Sequence, residues 1–160
     1  MSIIIVFRSK HGTTLKCAEK LAGKFSDDTR IVDLKKEPNI DISKFDTVII
    51  GGSIHAGRMQ KSVIKFCEKN MDDLLKKDLG LYLCCMEEGE KAQKQFDNAF
   101  PDKLIESAKA RGLLGGEFNF EKMNFLERFI IGKISGQSKS VSKINEENIT
   151  DFFEKLKNSE

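Results

Sequence analysis

The chain predicts an α/β fold, an open parallel sheet with helices on both faces, on three observations. Short apolar runs of strand length alternate along the 160 residues with stretches whose apolar residues recur at helical spacing. One run, Phe45-Asp46-Thr47-Val48-Ile49-Ile50, is apolar almost throughout, as in a strand buried on both faces of a parallel sheet. The first strand also passes into the first helix through a turn of hydroxyl residues and one glycine, the crossover arrangement that parallel strands require.

Taken in order, Ile3 to Phe7 forms the first strand, and Ser9-Lys10-His11-Gly12-Thr13-Thr14 the turn. A helix over about 13–25 follows, with Leu15, Ala18, Leu21, Ala22 and Phe25 on one face. Thr29 to Leu34 is a second strand and Phe45 to Ile50 a third, which Gly51-Gly52-Ser53 is expected to end. Val63, Ile64, Phe66, Cys67, Met71 and Leu74 or Leu75 line the inner side of a helix over 61–76, and Leu79 to Met86 is a fourth strand. Residues 90–100 and 102–111 are read as helix, restarted at Pro101, which suits a first turn. Leu113 to Phe118 is the expected fifth strand. Glu146 to Leu156 closes the chain as a helix that turns Ile149, Phe152, Phe153 and Leu156 inward.

Length and the lack of a composition break argue for one domain over 1–160, with an inserted amphipathic segment at about 121–140. Charged residues at 32% and no long apolar run indicate a soluble protein without a membrane span. The N-terminus lacks a basic leader region and is expected to enter the fold directly. A net charge of +2 with dispersed lysines speaks against nucleic acid as a partner. Cys17, Cys67, Cys84 and Cys85 follow no metal-ligand spacing, so no metal site is expected, and they are read as free thiols in a reducing cytoplasm.

The turn Ser9 to Thr14 has the makings of an anion cradle, because hydroxyls, backbone N–H groups and a helix N-terminus converge there while Gly12 permits close approach. In open parallel sheets the ligand lies at the carboxyl ends of the strands, where Arg8 to Thr14, Gly51 to Gln60 and Cys84 to Gly89 would meet. Neither Gly-x-Gly-x-x-Gly nor Gly-x-x-x-x-Gly-Lys-Ser/Thr is present, which disfavours a dinucleotide fold and a nucleoside triphosphatase. The acidic cluster and aspartate of a phosphorylated receiver domain are replaced by Arg8-Ser9-Lys10 and Gly51-Gly52-Ser53.

Ser9-Lys10-His11-Gly12-Thr13-Thr14 together with Phe45-Asp46-Thr47-Val48-Ile49-Ile50-Gly51 resembles the paired motifs of the flavodoxin family, over nearly the whole chain. The resemblance implies a sheet of order 2-1-3-4-5 and noncovalent FMN. Its phosphate would lie on Ser9, Lys10, His11, Gly12, Thr13 and Thr14, and its ring system between Ser53, Ile54, His55, Ala56 and Gly57 on one side and Cys84, Cys85, Met86 and Glu87 on the other. Gly57, which takes positive φ cheaply, would let a peptide reorient toward the flavin. His55 is the catalytic candidate, since histidine titrates near neutrality, against simple stacking of its ring beside the flavin. His11 is expected to contribute mainly its backbone.

The +2 charge, the absence of Trp and a lone tyrosine, Tyr82, depart from an acidic electron carrier with aromatics around its flavin. Ser53-Ile54-His55-Ala56-Gly57-Arg58 is similar instead to a turn of the menaquinone-dependent protoporphyrinogen oxidase branch, which also carries a basic apolar insertion. That similarity implies an oxidoreductase acting on a tetrapyrrole with a quinone as acceptor. The alternatives are one-electron carriage between redox partner proteins and a flavin module that signals its redox state. Phe125, Leu126, Phe129, Ile130, Ile131 and Ile134, with Arg128 and Lys133, suggest a helix over 122–135. It would lie on the inner face of a membrane, cover the sheet edge or join a homodimer. A Ser-rich connector is read over 135–142.

Overall fold

Alternate residues of the apolar strands face opposite ways, and each face has its own core. The computed structural model describes residues 1–25, 28–118, 124, 126–129, 133 and 140–158. Strands β1 (Ile3–Phe7), β2 (Thr29–Asp33), β3 (Thr47–His55), β5 (Asp78–Cys84) and β6 (Ala110–Leu113) run parallel in the order β2-β1-β3-β5-β6, and the short β4 (Arg58–Met59) pairs antiparallel with the end of β3. Leaving β4 aside, this is the expected order.

Ile3, Ile5 and Phe7 of β1, with Ile49, Tyr82 and Cys84, meet α1 (Thr13–Ala22) and the C-terminal helix α6 (Glu146–Lys157). Ile4, Val6, Val48, Ile50, Leu79, Leu81 and Leu83 point the other way, toward α2 (Lys61–Lys69), α3 (Met71–Leu74), α4 (Gly89–Ala99) and α5 (Asp102–Ser107). Helix α6 is anchored by Ile149, Phe152 and Leu156, each worth roughly 1.5–3 kcal/mol on burial. Its start is fixed by Asn145, whose side-chain oxygen accepts from the Asn148 N–H at 2.9 Å.

Six expectations are corrected. Gly51-Gly52-Ser53 does not end the third strand, which continues to His55, with Gly51, Gly52 and Ser53 opposite Tyr82, Leu83 and Cys84. The glycines serve close packing: a Cβ on Gly51 would lie 2.0 Å from the Tyr82 ring, and one on Gly52 2.2 Å from Met59 Sδ. The fifth parallel strand is Ala110–Leu113, not Leu113 to Phe118, and α5 ends at Ser107 rather than Arg111. At Gly112 the missing side chain admits Phe152, which a Cβ would approach to 2.9 Å. Glu117–Phe118 becomes β7, antiparallel to β8 (Val141–Ser142), so the end of the expected connector is strand. The helix over 61–76 divides at Asn70, whose Nδ2 donates to the Phe66 carbonyl at 2.9 Å, and α1 stops at Ala22 before Gly23 instead of reaching Phe25.

Of the expected helix over 122–135, residues 126–129 and 133 are helical, while Phe125, Ile130, Ile131 and Ile134 lie outside the described residues. No described helix is long and apolar enough to cross a membrane.

Candidate functional site

The chain leaves β1 for β2 on one side and returns for β3 on the other, so a crevice opens at the carboxyl ends of these strands. Its floor is the turn into α1. Gly12 caps that helix at φ 95°, a left-handed conformation natural to glycine, and its N–H donates to Ser9 Oγ at 2.8 Å. The N–H groups of the first turn of α1 have no intrahelical partner and carry the positive end of the helix dipole. Thr14 is fully buried and its hydroxyl has no hydrogen-bond partner beyond the weakly accepting Cys84 sulfur nearby.

One wall is the β3–β4 hairpin. Ala56 at φ 49° and Gly57 at φ 75° form its two-residue turn, both left-handed as such a hairpin requires. Gln60 fixes the strand end before it: Oε1 accepts from the Ser53 N–H at 3.0 Å, and Nε2 donates to Ser53 Oγ at 2.9 Å. The Ser53 hydroxyl lies 3.1 Å from His55 Nε2. Partial burial lowers the His55 pKa to about 4, with His11, Lys10 and Arg8 adding positive charge nearby and Glu127 opposing them. The ring is therefore neutral at pH 7, and its Nε2 can accept the Ser53 proton. His11 stands edge-on to it, ring centroids 5.8 Å apart.

The opposite wall is the end of β5. Cys84 Sγ lies 3.6 Å from Cys17 Sγ, and both thiols are free and buried. A hydrogen bond to Cys17 and burial raise the Cys84 pKa well above the thiol range, which keeps it protonated and unreactive. Cys85 donates its N–H to the Gly115 carbonyl at 3.0 Å.

Of the residues expected from the sequence, Ser9, His11, Thr13, Thr14, Ser53, Ile54, His55, Ala56, Cys84, Cys85 and Met86 line this one cleft. Lys10 lies outside its lining and pairs with Glu127; Gly12 contributes backbone, Gly57 turns the hairpin, and Glu87 opens on a neighbouring hollow with Glu88 and Gly89. Sequence reasoning missed Gly116, Glu117 and Glu127, which also line the cleft, and placed Gln60 at the end of a site turn without foreseeing its hold on Ser53. Glu117 Oε1 accepts from Thr13 Oγ1 and Lys16 Nζ, each at 3.1 Å; Glu127 Oε2 lies 2.8 Å from His11 Nε2 and 3.0 Å from Lys10 Nζ. Desolvation pushes both carboxyls up, yet these donors prevail and hold each below its ordinary range. Neither glutamate belongs to a local pattern; each reaches the turn from more than a hundred residues away.

A family model described as a flavodoxin domain matches residues 4–144. No curated protein matches the chain significantly. Among solved structures, oxidised flavodoxin 1 from Bacillus cereus is similar with a TM-score of 0.59 at 17% identity, covering 100% of this chain and 99% of that one. A flavodoxin from Streptococcus pneumoniae TIGR4 gives 0.54 at 17% identity, covering 98% and 96%. Rubredoxin oxygen:oxidoreductase from Desulfovibrio gigas gives 0.53 at 14% identity, covering 98% of this chain but 34% of that longer one. At such identities the likeness is one of fold.

Proposed function

The chain belongs to the flavodoxin domain family, and from that membership we propose that it holds FMN noncovalently in the cleft at the carboxyl edge of the sheet and serves in electron transfer. The observation that carries this reading is the cradle itself. Gly12 takes left-handed backbone at the head of α1, and the fully buried Thr14 hydroxyl has no oxygen or nitrogen partner, only the weakly accepting Cys84 sulfur, in the cleft shared with Ser53 to Ala56 and Cys84 to Met86. A buried hydroxyl without a partner costs about 1–3 kcal/mol, a cost that a ligand oxygen there would remove.

When bound, FMN supplies one- and two-electron redox chemistry that no side chain of the protein provides. The residues present fit its parts. Ser9, Thr14 and the first N–H groups of α1, with Lys10 and His11 once Glu127 leaves them, would hold the phosphate; Ser53 to Ala56 and Cys84 to Met86 would flank the ring system. Gln60 orients Ser53, and Ser53 orients a neutral His55, so the hairpin wall presents an uncharged ring at neutral pH. Cys84 and Cys85, nearly closed to solvent, make the other wall apolar and exclude water.

The similarity of Ser53 to Arg58 to the protoporphyrinogen oxidase branch favours oxidation of a tetrapyrrole with a quinone as acceptor; the family as a whole favours carriage between redox proteins equally. None of the proteins named above is described as a tetrapyrrole oxidase, so the tetrapyrrole and quinone reading rests on that turn. Exposed Leu126 and Phe129, flanking exposed Arg128, support contact of this stretch with an anionic membrane surface.

Flavin fluorescence titration tests the central claim. FMN is expected to bind and be quenched, and Thr14→Val to weaken binding about tenfold, or about 1.4 kcal/mol. Protein that ignores FMN would overturn the assignment. Turnover of the FMN-loaded protein with a tetrapyrrole and a quinone would select the oxidase reading, whereas electron exchange confined to redox proteins would select the carrier.

A further inference from the structure

The turn that makes the phosphate cradle is already engaged by carboxylates of its own chain. Glu127 sits on a helical turn capped by Asn124, whose Oδ1 accepts from the Glu127 N–H at 2.8 Å and whose carbonyl accepts from the Arg128 N–H at 3.0 Å. One oxygen of Glu127 meets both His11 Nε2 and Lys10 Nζ, while His11 Nδ1 is buried with no partner. Beside it, Glu117 occupies Thr13 Oγ1 and Lys16 Nζ. Four donors around an anion site thus face negative charge without any ligand.

The two glutamates are not equivalent. Glu117 belongs to β7, is paired across to β8, and has a side chain that is 9% exposed. Glu127 has a side chain that is 23% exposed, on a turn whose neighbours Leu126, Arg128 and Phe129 face solvent. A carboxylate on an exposed turn at the rim can leave; one fixed in a strand pair cannot do so without unpairing it.

We propose that Glu127 is an internal competitor for the phosphate of the flavin. Its carboxylate holds Lys10 and His11 in place of phosphate, and phosphate enters as Glu127 withdraws. Glu127 thereby sets how strongly the site prefers FMN over riboflavin, which lacks the phosphate. The inference rests on the FMN reading above and deepens it.

The test compares wild type, Glu127→Gln and the distant surface variant Glu37→Gln, titrated separately with FMN, riboflavin and inorganic phosphate. Glu127→Gln keeps the side-chain size and removes the charge. It is expected to tighten FMN and inorganic phosphate about tenfold while leaving riboflavin unchanged, with Glu37→Gln behaving as wild type. Unchanged or weaker FMN binding in Glu127→Gln, or equal tightening of riboflavin, would overturn the proposal. Should no variant bind either flavin, the FMN reading fails by itself, and inorganic phosphate then decides: tightening supports the competition and an unchanged affinity refutes it.

Discussion

Acidification from pH 7 to pH 4 asks the folded protein to protonate His55, which partial burial in the hairpin wall holds neutral. The folded ring titrates at about 4, against 6.5 in an unfolded chain, because partial burial disfavours the cation and His11, Lys10 and Arg8 stand close, with Glu127 offsetting part of their effect. Above pH 6.5 the ring is neutral in both states and the stability is fully present. Between pH 6.5 and 4 the unfolded chain binds a proton that the native state refuses, so stability falls as pH falls, and below 4 the loss is complete. At 1.36 kcal/mol per tenfold change the gap sets a ceiling of about 3 kcal/mol; solvent screening of a half-buried ring reduces it to about 1–2 kcal/mol. Urea unfolding of the ligand-free protein at pH 7, 5.5 and 4 measures this, and His55→Gln isolates it from the carboxylates, whose losses both proteins share. The wild type should lose about 1–2 kcal/mol more than His55→Gln across this window. An equal loss, or a His55 proton resonance titrating near 6.5, would refute the reasoning.

Gly51→Ala should be strongly destabilising, by about 3 kcal/mol or more in urea unfolding, since its Cβ would lie 2.0 Å from the Cζ of a fully buried Tyr82. In a Tyr82→Ala background the same change should be nearly neutral, a coupling of about 2–3 kcal/mol; additivity would show that the clash is relieved elsewhere. Thr14 and Thr47 both bury a hydroxyl without a hydrogen-bond partner, at opposite ends of the sheet. Valine at either should raise the stability of the ligand-free protein by about 1 kcal/mol, while Thr14→Val alone weakens FMN. A loss of FMN affinity in Thr47→Val would mean that the effect does not report the cradle.

The strands and most helices were legible because hydrophobic period survives in a single sequence: Ile3 to Phe7 and Leu79 to Cys84 can satisfy both faces of a sheet and little else, while the order of the strands came from the family resemblance. Glycine was harder to read. Gly12 marks a change of backbone direction, as its φ of 95° requires, but Gly51 and Gly52 mark close approach of Tyr82 and Met59 within a continuing strand. The letters are the same and the causes differ, so the third strand was cut short. The fifth strand slipped for a related reason: Gly112 looks weak as a strand residue, and the room it leaves is needed by Phe152, forty residues on. Glu117 and Glu127 were invisible because a single glutamate within an apolar run carries no periodic signal of its own, and their partners lie across the fold.

Tyr82 shows how these two kinds of information meet. As the lone tyrosine of a chain without tryptophan, its place within a strand counted against an aromatic wall beside a flavin. It is fully buried under the site instead, packed where Gly51 has no side chain, edge-on to Phe152 at 6.3 Å, with its hydroxyl donating to the Thr14 carbonyl at 2.9 Å. One ring thus ties β3, β5, α6 and the first turn of α1, the elements that carry the hairpin wall, the cysteine wall, the sheet cover and the cradle. Its hydroxyl faces the same turn as the Thr14 side chain. Support from below satisfies the Thr14 carbonyl, and the first N–H groups of α1 and the Thr14 side-chain hydroxyl would be left for a bound phosphate. A binding site built this way would be held open by its core, with Glu127, remote in sequence, as the proposed control of the charge at its mouth.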